Sequence, residues 1–327
     1  MTRARILGTG SAVPERRLTN ADLERMVDTT DEWIVTRTGI RERRIASEGE
    51  ATSTFAIAAA ERALEMAEVT AAELDLVICG TVSSDMLFPA TSCLVQEALG
   101  AKRAAAFDFN AGCSGFVYGL GIASQFLECG GARTVVVIGG EILSRYVDWE
   151  DRSTCVLFGD GAGAVVLRAE EGERGILATA LHSDGSLADL ICIPGGGSRR
   201  PPNDPTSLEE RLPFIKMRGS EVFKVAVRSM AEVSGEVLGR CGLGYDDVRW
   251  VIPHQANRRI IDAVGQRLAI DPERVYVNVE RFGNTSAASI PIALDELNRA
   301  GRIEPDDVVL LAAFGAGLTW GAAAIRW

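Results

Sequence analysis

The sequence predicts an α/β protein made of two similar halves. Strand-like and helix-like segments alternate along the chain, a pattern that points to a mostly parallel sheet. A faint internal duplication points to the halves. Phe158-Gly159-Asp160-Gly161-Ala162-Gly163-Ala164-Val165-Val166-Leu167 is echoed by Phe314-Gly315-Ala316-Gly317 with the following Gly321-Ala322-Ala323-Ala324-Ile325. Each copy joins a phenylalanine, a glycine-rich turn and an apolar strand, and each follows an apolar strand running into a polar loop, at residues 74–80 and 248–253. The halves meet near residues 168–175, which divides the chain into 1–172 and 173–327. A chain of 327 residues is long enough to bury a large core in each half.

Along the chain, helices are predicted at 52–67, 113–129, 220–240, 257–268 and 286–299. Residues 104–109 read as a short buried strand. No charge occurs from Gly112 to Leu127, so the helix that follows is expected to be surrounded by protein. Ser220 and Glu221 offer a cap and a first-turn acid, ahead of apolar Val222, Phe223, Val225, Met230, Val233 and Val237. Pro253 ends a β-branched strand, and a helix opens near Asn257. Residues 308–325 carry no formal charge and approach the length of a membrane span. Gly315, Gly317 and Gly321, with Thr319 and Trp320, break that stretch into strand, turn and strand, covered on both faces. Residues 195–213, rich in Gly, Pro, Arg and Asp, form the one long loop and are expected to act as a flap.

Composition narrows the function. A hydrophobic content of 47% with 24% charged residues is ordinary for a soluble globular enzyme. The longest apolar run before Gly8 is the pair Ile6-Leu7, too short for a signal-peptide core, so a cytoplasmic location is expected. Seven cysteines without C-x-x-C spacing argue against a disulfide framework and a structural metal site. A net charge of -11 argues against nucleic acid as a partner.

One cysteine stands apart. Cys113, in Phe109-Asn110-Ala111-Gly112-Cys113-Ser114-Gly115-Phe116, falls where the uncharged helix begins. Free N–H groups and the positive end of the helix dipole favour a thiolate there, and small neighbours allow a carbonyl to approach. The chain has only two histidines. His254, in Pro253-His254-Gln255-Ala256-Asn257, follows a strand and faces the ligand crevice expected at strand ends, whereas His182 reads as a structural turn residue. Asn284, in Gly283-Asn284-Thr285-Ser286-Ala287-Ala288-Ser289, precedes another helix, where an N-cap is the ordinary role.

Together Cys113, His254 and Asn284 resemble the active site of a decarboxylating condensing enzyme. Further motifs run from end to end: Asp31-Glu32-Trp33-Ile34-Val35-Thr36-Arg37-Thr38-Gly39-Ile40-Arg41-Glu42-Arg43, Phe158 to Ala164, His254-Gln255-Ala256-Asn257, and Phe314-Gly315-Ala316-Gly317-Leu318-Thr319-Trp320-Gly321. The whole chain resembles the β-ketoacyl-acyl-carrier-protein synthase III family of the thiolase superfamily.

That resemblance implies a five-layered αβαβα fold from two duplicated βαβαβ halves. It implies acylation of Cys113 by an acyl-CoA, then decarboxylative condensation with malonyl-acyl carrier protein, with no cofactor and no metal. It assigns an oxyanion hole to the Cys113 and Ala316 amides, CoA contacts to Trp33, Arg37, Arg152 and Asn257, and an acyl pocket to Phe88, Phe158 and Phe314. Phe88 matches a position contributed by the neighbouring subunit of a homodimer. An acidic carrier would need local positive charge on so acidic a chain; Lys224, Arg259 and Arg267, with Arg258 beside them, are the candidates.

The sequence departs from the family pattern at two points. Ala316 stands where glycine is usual, which would impose strain if φ there had to be positive. Ser220 stands where an asparagine is usual near the CoA arm.

Other classes fit less well. A degradative thiolase needs a second cysteine near its C-terminal glycine turn, and none follows Cys241. A Cys–His hydrolase leaves Asn284 and the CoA-type motifs unexplained, and Gly8-Thr9-Gly10 lacks the third glycine of a dinucleotide fingerprint. A non-catalytic partner subunit would have lost Cys113. A related acyltransferase or ketosynthase of specialised metabolism shares the fold and remains the alternative.

Overall fold

The computed structural model describes all 327 residues. One sheet uses β1 (Thr2–Ala12), β2 (Leu76–Gly80), β3 (Ala105–Phe109), β4 (Thr134–Ile142) and β5 (Asp160–Glu171), in the order β1-β5-β4-β2-β3. The other uses β6 (Gly175–Ser183), β7 (Val248–Pro253), β8 (Val308–Gly315) and β9 (Thr319–Arg326), in the order β7-β8-β9-β6. From β1, successive pairings run antiparallel, antiparallel, parallel. The same series starts from β6. The sheets therefore repeat one another, with β5 matching β9 and β2 matching β7, as the duplicated segments predict.

The expectation of a mostly parallel sheet is corrected: four of the seven pairings are antiparallel. A parallel neighbour needs a long crossover, and only residues 316–318 join β8 to β9. The uncharged 308–325 stretch is this hairpin. No helix is long and apolar enough to cross a membrane.

The main helices are α1 (Asp31–Thr38), α2 (Thr52–Ala67), α3 (Thr91–Leu99), α4 (Gly115–Glu128), α5 (Gly219–Arg240), α6 (Arg258–Arg267) and α7 (Ser289–Arg299). Helices α2 and α3 cover the first sheet, α4 and α7 lie between the sheets, and α5 covers the second sheet with α6 against it. Five layers result. In the middle one, Val117, Leu120, Ala123 and Leu127 of α4 and Leu294 and Leu297 of α7 join strand side chains from both sheets in a single core. A helix sandwiched this way has no face for a charge, which explains the uncharged run.

Both middle helices start later than the sequence suggests. A 3-10 turn, Gly112–Ser114, precedes α4, and another, Ser286–Ala288, precedes α7. Cys113 and Ser286 thus occupy equivalent turns in the two halves. Strand β3 is an edge strand, half-exposed instead of buried. Ser220 does not cap α5, whose N-cap is Arg218. His182 lies in β6 opposite Trp320, not in a turn, and its Nε2 sits 2.6 Å from Glu236. The 195–213 loop folds as consecutive turns, tied down by ion pairs from Arg211 to Asp148 and Glu150.

Candidate active site

Two turns meet behind Cys113. A Cβ on Gly315 would stand 2.4 Å from the Cys113 nitrogen, and one on Gly112 2.7 Å from the Ala316 nitrogen, so only glycine permits this approach. The Thr319 hydroxyl locks the turns together by donating to the Ala111 carbonyl at 2.6 Å. The Ala316 amide donates to no protein acceptor. Positive φ falls on Gly317, at 136°, and not on Ala316, so the alanine carries none of the left-handed strain its position threatened.

His254 follows Pro253 at the end of β7 and is 3% exposed. Burial drives its pKa down to about 3, so the imidazole is neutral. Its Nδ1 lies 2.7 Å from the Ser289 hydroxyl, which accepts the Gln255 N–H at 3.3 Å. That hydroxyl has no other acceptor for its own proton. The network therefore assigns the Ser289 O–H to Nδ1 and the imidazole proton to Nε2.

Asn284 is 7% exposed and bridges the backbone of Phe158. Its Oδ1 accepts the Ser286 N–H at 2.9 Å, the cap-like contact. The Nδ2 group makes no protein hydrogen bond. Neither it nor His254 Nε2 is among the sealed, unpaired polar atoms, so both N–H groups reach accessible space.

The stretch 284–289 organises the site. Asn284 belongs to it, the Ser286 turn packs on the turn of Cys113, and Ser289 holds His254. Sequence reasoning singled out the motif but not Ser286, Ser289 or Glu141, a carboxylate behind Ser286. A lone acid in the otherwise uncharged Thr134–Ile142 strand was the available signal for Glu141.

The expected thiolate is corrected. Burial pushes the Cys113 thiol up to about 12; the nearby Ser286 hydroxyl and the residue's own amide pull the other way, and the Glu141 charge adds to the rise. A helix terminus without a nearby cation does not overcome that desolvation.

Other predicted residues cluster as well. The Arg37 and Arg152 guanidinium carbons lie 4.8 and 5.1 Å from the centre of the Trp33 ring. Arg152 thus stacks directly on Trp33. Asn257 caps α6 through Arg259 N at 2.8 Å and donates to the Arg37 carbonyl at 3.2 Å. Phe158 and Phe314 are buried, whereas Phe88 is 81% exposed. Lys224, Arg259 and Arg267 are exposed on α5 and α6; Arg258 is taken by Asp262 at 2.7 Å. No group of three or more His, Cys, Asp or Glu side chains is arranged to hold a metal ion.

Duplicated halves in five layers place the chain in the thiolase superfamily, and its chemistry is that of an acyl-transferring condensing enzyme. The 3-oxoacyl-[acyl-carrier-protein (ACP)] synthase III family matches residues 107–185, and the C-terminal part of that family matches residues 238–327. A β-ketoacyl-[acyl-carrier-protein] synthase III from Caldanaerobacter subterraneus subsp. tengcongensis is 55% identical over 99% of this chain and 98% of its own length. One from Desulfitobacterium hafniense is 53% identical over 100% and 98%. The crystal structure of 3-oxoacyl-[acyl-carrier-protein] synthase III from Aquifex aeolicus VF5 superposes with a TM-score of 0.92 at 51% identity, covering 99% of this chain and 100% of that one. The chain belongs to the 3-oxoacyl-[acyl-carrier-protein] synthase III family, the initiating condensing enzymes of fatty-acid synthesis.

Proposed function

We propose that Cys113 accepts an acyl group from acyl-CoA and that His254 and Asn284 then drive decarboxylation of malonyl-acyl carrier protein. Sulfur attacks the thioester carbonyl and CoA leaves as its thiol. Malonyl-carrier next loses CO2, and the enolate oxygen takes hydrogen bonds from His254 Nε2–H and Asn284 Nδ2–H. The enolate carbon attacks the acyl-Cys113 carbonyl, whose oxyanion lies between the Cys113 and Ala316 amides. Collapse of that adduct releases 3-oxoacyl-carrier and frees the cysteine. Each such donor is worth about 3 kcal/mol of barrier. The observation that carries the reading is the pair of neutral N–H donors left unpaired, both held by the 284–289 segment whose turn packs on the turn of Cys113. A neutral imidazole suits a donor of this kind.

Trp33, Arg37, Arg152 and Asn257 bind CoA in this reading, adenine parting Arg152 from Trp33 and stacking between them. Phe158 and Phe314 line the acyl pocket. The exposed Leu87 and Phe88, 87% and 81% accessible, support a homodimer in which Phe88 completes the partner's pocket. Lys224, Arg259 and Arg267 supply the positive surface for the carrier. Division into 1–172 and 173–327 gives the cysteine to one half and the histidine and asparagine to the other. Seven free thiols suit a reducing cytoplasm. Thioester exchange and loss of CO2 need no cofactor.

Intact mass after exposure to acyl-CoAs tests the first step. The protein should gain one acyl group on Cys113, and Cys113→Ser should gain none; an acyl group on any other residue refutes the assignment.

A further inference from the structure

Glu141, near the end of β4 and behind Ser286, is 0% exposed. No cation is among the groups that act on it. Its Oε2 collects three donors: the Ser83 hydroxyl at 2.6 Å, the Val82 amide at 3.1 Å and the Thr81 hydroxyl at 3.3 Å. Oε1 faces the Ser286 hydroxyl at 3.0 Å. Ser286 in turn lies beside Cys113, its turn packed on the turn that carries the thiol. The serine holds φ at 50°, a region that favours glycine, so the hydroxyl is kept where backbone preference alone would select against it. We propose that Ser286 and Glu141 form a proton relay that takes the Cys113 thiol proton as the sulfur is acylated.

The step balances. As Sγ bonds to the thioester carbon, its proton passes to Ser286 Oγ while the Ser286 proton passes to Glu141 Oε1. When the carbon–sulfur bond to CoA breaks, the proton returns through Ser286 to the departing thiolate. His254 is a poor acceptor for this proton, because Ser289 leaves its Nε2 already protonated. Burial raises the Glu141 carboxyl to about 7, near the working pH that suits a proton acceptor. The other ionisable groups that feel its charge are Cys79, Cys113 and Tyr146.

The inference rests on Cys113 being the acylated residue, and single-turnover acylation by acetyl-CoA followed from pH 6 to 9 tests the two separately. Glu141→Gln and Ser286→Gly should each slow acylation about 100-fold at pH 7. The loss should shrink as rising pH supplies hydroxide to the thiol, and Glu141→Asp should recover part of it. Decarboxylation of malonyl-carrier should fall by less than threefold. The glycine variant relieves the φ of residue 286, so folding is not at risk. Wild-type acylation rates in both variants, or equal losses in acylation and decarboxylation, overturn the relay. Failure of the wild-type protein to acylate Cys113 overturns instead the reading beneath it.

Discussion

Replacing Glu141 by glutamine should stabilise the fold at alkaline pH and leave it nearly unchanged in acid. The carboxyl has an ordinary value of 4.5, and burial without a cation raises it to about 7 in the folded protein. Between those values the folded state holds a proton that the unfolded state has released, so stability falls as pH rises through the window. The shift corresponds to about 3 kcal/mol. Linkage gives about 1 kcal/mol of that penalty at pH 5 and nearly all of it at pH 8. Glutamine has no charge to bury, and its carbonyl can keep the Val82 N–H while the hydroxyls of Thr81, Ser83 and Ser286 rotate to suit its amide. Urea unfolding of both proteins across pH 5 to 8 measures the difference. The gain from Glu141→Gln should grow by about 2 kcal/mol from pH 5 to pH 8. A difference that stays flat with pH, or shrinks, would refute the picture of a carboxylate buried without a counter-charge.

Trp33→Ala should raise the KM for acyl-CoA about tenfold with kcat little changed, because it removes a stacking surface and no reacting group. Gly315→Ala would drive a methyl against the Cys113 amide, 2.4 Å away, and should cut acylation about 100-fold by displacing the thiol; wild-type kinetics would show that the turn yields. Joint charge reversal at Lys224, Arg259 and Arg267 should raise the KM for the carrier protein, most at low salt, while acylation by acyl-CoA stays constant. An unchanged carrier KM would remove that surface from the account.

Much of the candidate site was legible because the residues proposed for its chemistry are scarce and sit at element ends. His254 was one of two histidines, placed where a proline closes a strand, and Cys113 preceded a helix too apolar to face water. The duplicated glycine turns led correctly to repeated sheets. Strand direction was not legible, since alternation of strands and helices does not reveal hairpins such as β8 to β9. Helices α1 and α3 escaped notice because they are short, at 8 and 9 residues. The charge state of Cys113 was misjudged for a physical reason: dipole and amides are local and readable, whereas desolvation depends on everything packed around the sulfur. Glu141 and Ser289 act through tertiary contacts 145 and 35 residues away along the chain, to Ser286 and His254. No local pattern announces those partners.

The most direct test separates the two half-reactions in one variant, Asn284→Ala, by measuring acyl-Cys113 formation and CO2 release side by side. Acylation should proceed near the wild-type rate while CO2 release falls about 100-fold, the effect of losing one enolate donor. Undiminished CO2 release, or the collapse of both steps together, would contradict the division of labour between Cys113 and the pair formed by His254 and Asn284.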